Sequence, residues 1–169
     1  KLVLERYFSK GVVLGTLASL LMGTNLLFYG TVWSVMSHTY SFFLFSCLLC
    51  VIPLWYERPR SVVLSVLFGL IVGLIALVRV PNVLVLLVFV LWGVGRLKDM
   101  KERARLFASH AATLSLAAGI ACLVFLPQLL VWRYGSGRWL LNGYASLGGH
   151  FDFSSPAILG VLFSLKKGL

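Results

Sequence analysis

Carboxylates are scarce in this chain. Five Asp and Glu stand against 15 Lys and Arg, for a formal net charge of +10, and only 12% of the residues are charged. A soluble domain keeps roughly a quarter of its residues charged, so a water-exposed surface of ordinary composition is excluded. The excess of cations would suggest nucleic acid in a soluble protein. Here the cations sit between apolar runs, and no basic patch is interleaved with exposed aromatics, so nucleic acid is excluded as a partner. Cysteine is also sparse: Cys47, Cys50 and Cys122 all lie inside apolar runs. Cys47-x-x-Cys50 has the spacing of a redox or zinc pair, but no second pair or nearby His accompanies it. Helix packing is its expected role, and it carries no information about redox compartment.

Hydrophobic residues make up 60% of the chain and the mean hydropathy is +0.96. They come in runs near the ~20 residues that span a hydrocarbon core. The alternation in segments of about ten residues that marks a membrane β-barrel is missing. The expected fold is all-α, a polytopic transmembrane helical bundle. Spans are expected near residues 11–29, 40–55, 61–78, 83–95 and 107–126, with Pro127 bending or ending the last. Residues 127–169 form a non-cytoplasmic, interfacial segment and the start of a further apolar run. Gly69 and Gly73, four apart, form a GxxxG pattern that suits close helix packing. Val78-Arg79-Val80-Pro81-Asn82 reads as a tight turn between two helices, because Pro81 removes a backbone donor and disfavours helix at Val80. The chain opens on Lys1 and closes on Gly168-Leu169 just after a new apolar segment has begun, the pattern expected of a piece of a longer protein.

Cations cluster at residues 1–10, 56–60 and 96–105, the last being the strongest positive loop (RLKDMKERAR). If the spans alternate, all three connections fall on one side, which the positive-inside rule makes cytoplasmic and where they meet anionic headgroups. The N-terminus is then cytoplasmic. The connection around residues 30–39, the turn at 79–82 and the segment from 127 share the opposite face, with Tyr29 and Trp33 fitting an interfacial aromatic belt.

That face collects the candidate site residues. Arg79, near the hydrocarbon, costs about 2.5–3.5 kcal/mol at the midplane and less near the interface. It either snorkels to outer-surface phosphates or binds an anionic group of a ligand, to which its planar fork offers two oxygens' worth of donors. Asn25 and Tyr29 share a helical face. Ser37 and His38 open the second span, as N-cap and headgroup residue or as a polar pair lining a site. Asn82 closes the turn. Further on, Trp132, Arg133, Tyr134, Arg138, Trp139, Asn142 and Tyr144 crowd together, as an interfacial aromatic helix or as faces for a sugar and its phosphate. His150 and Asp152 follow, two apart, and a metal would need ligands that cannot be assigned. Asp152 is the one carboxylate on this face, so a two-carboxylate glycosidase scheme fails. No GxSxG, HExxH or phosphate-loop pattern is present.

In order along the chain, GTNLLFYG, SHTYSFFLF, LVRVPN, FLPQLLVWRYGSGRWLLNGY and FDFSSPAILGVLFSLKKGL resemble the middle of bacterial GT-C integral-membrane glycosyltransferases, the relatives of protein O-mannosyltransferases and the aminoarabinose transferase. The resemblance covers nearly the whole chain and implies a polyprenyl-phosphate-linked sugar as donor, with transfer to an acceptor at the non-cytoplasmic face of the bacterial inner membrane. It also implies a catalytic Asp or Glu in an outer loop that these residues do not include, and Asp152 is no substitute for it. The chain would then supply walls of the lipid-phosphate and sugar site. Cofactors stay unknown. The alternative is a small multi-span transporter or flippase-like protein, which requires polar or broken positions at mid-membrane in several spans. Here the polar residues gather at one end, with Ser65, Thr113 and Ser115 as exceptions that can bond to backbone.

Overall fold

The computed structural model describes residues 3–32, 37–96 and 98–141. Among the described residues the secondary structure is all helical. The α-helices are α1 (Lys10–Gly23), α2 (Leu26–Thr31), α3 (Ser37–Glu57), α4 (Val62–Val78), α5 (Leu86–Leu91), α6 (Asp99–Ser109) and α7 (Ala111–Ser136), with short 3-10 turns at Leu4–Arg6 and Val80–Val85. Two of them, α3 with 21 residues and α7 with 26, are long and apolar enough to cross a membrane. At 1.5 Å per residue they extend about 32 and 39 Å, against about 30 Å of hydrocarbon. The apolar helices Lys10–Gly23, Val62–Val78 and Val80–Leu91 are shorter. By contact, residues Lys1–Leu129 form one compact unit and Leu130–Leu169 a second.

Several boundaries differ from the sequence expectation. The segment near 11–29 is not one helix. Thr24 turns its hydroxyl back to Leu20 O at 2.6 Å and accepts the Leu26 N–H at 3.3 Å, so the chain breaks at Thr24-Asn25 and restarts as α2. The expected loop is helical from Asp99 onward: Asp99 Oδ2 accepts the N–H groups of Gly95 and Arg96 at 3.0 and 2.8 Å, and α6 begins there. The last apolar segment starts at Ala111 and passes through Pro127 to Ser136. A proline lacks one backbone donor, but an apolar helix tolerates this where neighbouring groups compensate. By contrast α4 lies within a residue of its expected place. Ser61 Oγ accepts the Leu64 N–H at 3.3 Å, and Arg79, extended at φ −160°, ends the helix before Pro81.

The core of the first unit runs along α3, whose Leu44, Leu48, Val51, Ile52 and Trp55 recur at helical spacing on one buried face. Phe68, Ile71 and Ile75 of α4 join them. The other side of α4 meets α7 backbone to backbone. A Cβ on Gly69 would lie 3.0 Å from Ala117 Cα, and one on Gly73 would lie 2.7 Å from Val124 Cβ and 3.0 Å from Ala121 O. The GxxxG face therefore meets Ala117, Ala121 and Val124 of α7, with the missing Cβ atoms making the close approach possible. Two hydroxyls of these helices bond to backbone carbonyls. Ser65, fully buried, donates to Ser61 O at 3.0 Å, and Thr113 Oγ1 lies 2.9 Å from the carbonyls of His110 and Pro59.

At the α3 C-terminus an aromatic cluster closes the core. Trp55 is 0% exposed. Its ring centroid lies 5.3 Å from Tyr56, 5.1 Å from Phe89, 6.3 Å from Phe107 and 6.4 Å from His110. Phe89 in turn stacks on Phe107 at 5.3 Å and 10°. Arg103 enters this cluster from α6. Its guanidinium sits 4.2 Å over the Tyr56 ring and donates to Trp92 O, while the Tyr56 hydroxyl donates to Phe89 O at 2.7 Å. These two bonds satisfy carbonyls at the end of α5, where a cation also meets the negative end of the helix dipole. Gly93, at φ +70°, then turns the chain in a conformation that favours glycine. Trp55 Nε1 and Arg103 Nε are buried without a hydrogen-bond partner, so rings and the other guanidinium nitrogens hold the cluster.

The three basic connections meet at this end. Arg6 pairs with Glu57 at 3.3 Å, Thr113 reaches Pro59, and Arg103 lies on Tyr56. The Arg6–Glu57 pair is about half exposed and contributes little energy; its information is positional.

Gly69→Leu is expected to lower stability by about 1–3 kcal/mol through overpacking, whereas Gly119→Ala, with nothing within 4 Å of its Cβ, should not destabilise; thermal unfolding in detergent compares them. Arg103→Gln should cost about 1–3 kcal/mol from the lost ring contact and carbonyl bond. In the same measurement, Lys101→Gln on the exposed face should stay within about 0.5 kcal/mol.

Candidate functional site

The α3 helix carries its start, Ser37, about 30 Å from Glu57, so the far end of the first unit is distinct from the aromatic and basic end. Two polar contacts are built there. The Tyr29 ring of α2 lies 5.3 Å from the His38 ring, tilted by 34°. Asn82 Nδ2 donates to Ser41 Oγ at 2.8 Å, and Ser41 Oγ donates to Ser37 O at 2.9 Å. The turn that delivers Asn82 is closed by its own N–H on Arg79 O at 2.9 Å. Arg79 and Asn82 therefore share one turn because Pro81 ends α4 and opens the next helical stretch. Arg79 and Asn82 are half-buried, Ser37 and Tyr29 likewise, and His38 is exposed.

Of the predicted residues, the structure thus brings Tyr29 to His38, and Arg79 and Asn82 to one turn bound to α3. Asn25 lies one turn before Tyr29, its carbonyl accepting the Tyr29 N–H at 2.9 Å; its side chain is exposed and makes no cap. Ser41 was missed by the sequence reading, although its place four residues after Ser37, in a run otherwise apolar, is the signal that marks it. Thr39 adds a buried hydroxyl with no hydrogen-bond partner.

The second unit holds Arg133, Tyr134, Arg138 and Trp139, all exposed. Arg133 donates to Gly137 O and lies 5.7 Å over the Trp139 ring. Gly137, at φ +71°, ends α7 and donates its N–H to Arg133 O at 3.0 Å, the left-handed glycine cap common at helix ends. Arg133 therefore serves its own helix terminus, with its charge at the negative end of the dipole. Asn142, Tyr144, His150 and Asp152 lie outside the described residues.

Chemically, the far end of the first unit offers a guanidinium, an amide, hydroxyls, a phenol and an imidazole. The four carboxylates among the described residues, Glu5, Glu57, Asp99 and Glu102, belong to the basic end. Anion binding and hydrogen bonding to hydroxyls are within reach of this set, and carboxylate acid–base chemistry is not. Among the described residues no three His, Cys, Asp or Glu groups gather to hold a metal. No family model, curated protein or solved structure matches the chain.

In a double-mutant cycle on Ser41→Ala and Asn82→Ala, unfolding free energies should show a coupling of about 0.5–1.5 kcal/mol. Additive effects would mean that the contact contributes nothing.

Proposed function

We propose that this chain is part of an integral-membrane glycosyltransferase that takes a sugar from a polyprenyl-phosphate donor and passes it to an acceptor at the non-cytoplasmic face of a bacterial inner membrane. The three shorter apolar helices complete the crossings, giving about five spans, and the N-terminus is cytoplasmic. One observation carries the reading: Tyr29, Ser37, His38, Ser41, Arg79 and Asn82 gather at one end, while the basic connections gather at the other. The ordered sequence resemblance supports it.

In this reading Arg79 binds the donor phosphate. A guanidinium binds such a group in a fork, with charge-assisted bonds stronger than neutral ones. As the glycosidic bond to phosphate breaks, negative charge grows on the leaving oxygen, and a fixed cation beside it lowers that barrier. Asn82 positions the turn through Ser41. His38, leaning on Tyr29, presents a polar ring edge and an aromatic face to sugar hydroxyls. Glycosyl transfer then needs an acid or base from outside this cluster, which holds no carboxylate among the described residues.

The test is a sugar-transfer assay on the whole protein with a panel of polyprenyl-phosphate sugars. Arg79→Ala should raise the donor KM by roughly 10-fold or more, as loss of a charge-assisted bond implies, with Arg79→Lys intermediate. Full donor affinity in Arg79→Ala would sink the phosphate assignment.

A further inference from the structure

The helix α6 divides its cations between two faces. Arg103, Leu106, Phe107 and His110 recur at spacings of three, one and three and are half-buried, with Arg103, Phe107 and His110 engaged in the aromatic cluster. Lys98, at the start of the helix, and Lys101 and Arg105 within it are exposed. Their spacings of three and four place them on one stripe, about 180° around the axis from the packed face. Glu102 is the one exposed acid beside them, since Asp99 is used on the Gly95 and Arg96 N–H groups.

Chain connectivity restricts where this stripe can be. Only His110 separates α6 from the apolar α7, and residues 92–98 link it back to α5. Its inward face is pinned by the Arg103 contacts at the end of α3. With α3 and α7 crossing a bilayer, α6 is held within a few side-chain lengths of the headgroups, inside a Debye length of about 8–10 Å. Arg58 and Arg60, both exposed, add to the same end.

We infer that the Lys98–Lys101–Arg105 stripe of α6 is a binding surface for the anionic headgroups of a phospholipid bilayer, and that it selects acidic lipid around this end of the protein. Charge complementarity identifies the occupant. Three cations on one face, facing away from their own protein and with one acid among them, suit a negatively charged plane, to which each Lys or Arg contributes roughly 5-fold in association. The inference rests on the membrane reading and not on the glycosyltransferase reading.

The test reconstitutes the whole chain in phosphatidylcholine bilayers and measures, by electron paramagnetic resonance, the association of spin-labelled phosphatidylglycerol relative to spin-labelled phosphatidylcholine. Wild type should prefer the anionic lipid by at least roughly 5-fold, the contribution of a single cation, with the preference falling towards one in molar salt. Lys98→Gln/Lys101→Gln/Arg105→Gln should lose most of the preference while melting like wild type. The charge-conserving Lys98→Arg/Lys101→Arg/Arg105→Lys should keep it. No preference in wild type, an unchanged preference in the triple Gln variant, or a preference indifferent to salt would each overturn the inference. Absence of any motionally restricted lipid component would instead show that the chain does not sit in the bilayer, which separates the two failures.

Discussion

Trp55 is the point on which the first unit depends. Its ring, fully buried, touches Tyr56 beside it, Phe89 of α5, Phe107 of α6 and His110 at the head of α7. Two helices are long and apolar enough to cross a membrane, and between apolar helices in lipid association rests on shape, van der Waals contact and buried polar bonds. Aromatic pairs of this kind contribute about 0.5–1.5 kcal/mol each beyond the area they bury. Arg103 adds the one cation that satisfies a helix end from inside the cluster. Between α4 and α7 the second contact is closer still, since Gly69 lets the two backbones touch and Gly73 makes room for the Val124 side chain and Ala121 O. Both contacts follow from side-chain size: one joins large flat rings, the other the absence of a Cβ.

The other end is built differently. There, α2 buries no residue. The contacts are a tilted ring pair and an amide on a hydroxyl. Few buried apolar contacts mean low local stability, so the aromatic, basic end is the more firmly packed of the two.

Much of the helix framework was legible in the sequence. The α4 helix was visible because an unbroken apolar run is bounded by a capping Ser61 and by Arg79-Val-Pro81. The GxxxG face was legible for the same reason that it works, the missing Cβ. Less visible was the break at Thr24, which depends on a side-chain hydroxyl competing with the helix ladder, and the passage of α7 through Pro127, which depends on the strength of the surrounding run. The α6 helix was hidden by composition: RLKDMKERAR counts as a charged connection, and its packed face includes an arginine, so the period at Arg103, Leu106, Phe107 and His110 does not read as hydrophobic. In the candidate site, charge placement brought Tyr29, Ser37, His38, Arg79 and Asn82 to one end, as the contacts of Tyr29 and Asn82 with α3 have it. Ser41 was passed over because a serine within an apolar run ordinarily bonds to its own backbone, which it also does. The contacts of Arg133 with Gly137 and Trp139 are a local device at the end of α7 that spacing alone does not reveal.

The central claim is that the polar cluster and the cationic end face opposite sides of a membrane. Site-directed labelling tests it most directly. Cys47, Cys50 and Cys122 are replaced by Ala, and a single cysteine is placed at His38 or at Lys101 in membrane vesicles of known orientation. A membrane-impermeant maleimide should reach the His38→Cys protein from the non-cytoplasmic side of intact vesicles, and the Lys101→Cys protein only after the membrane is opened. Labelling of both from the same side, before opening, would contradict the account.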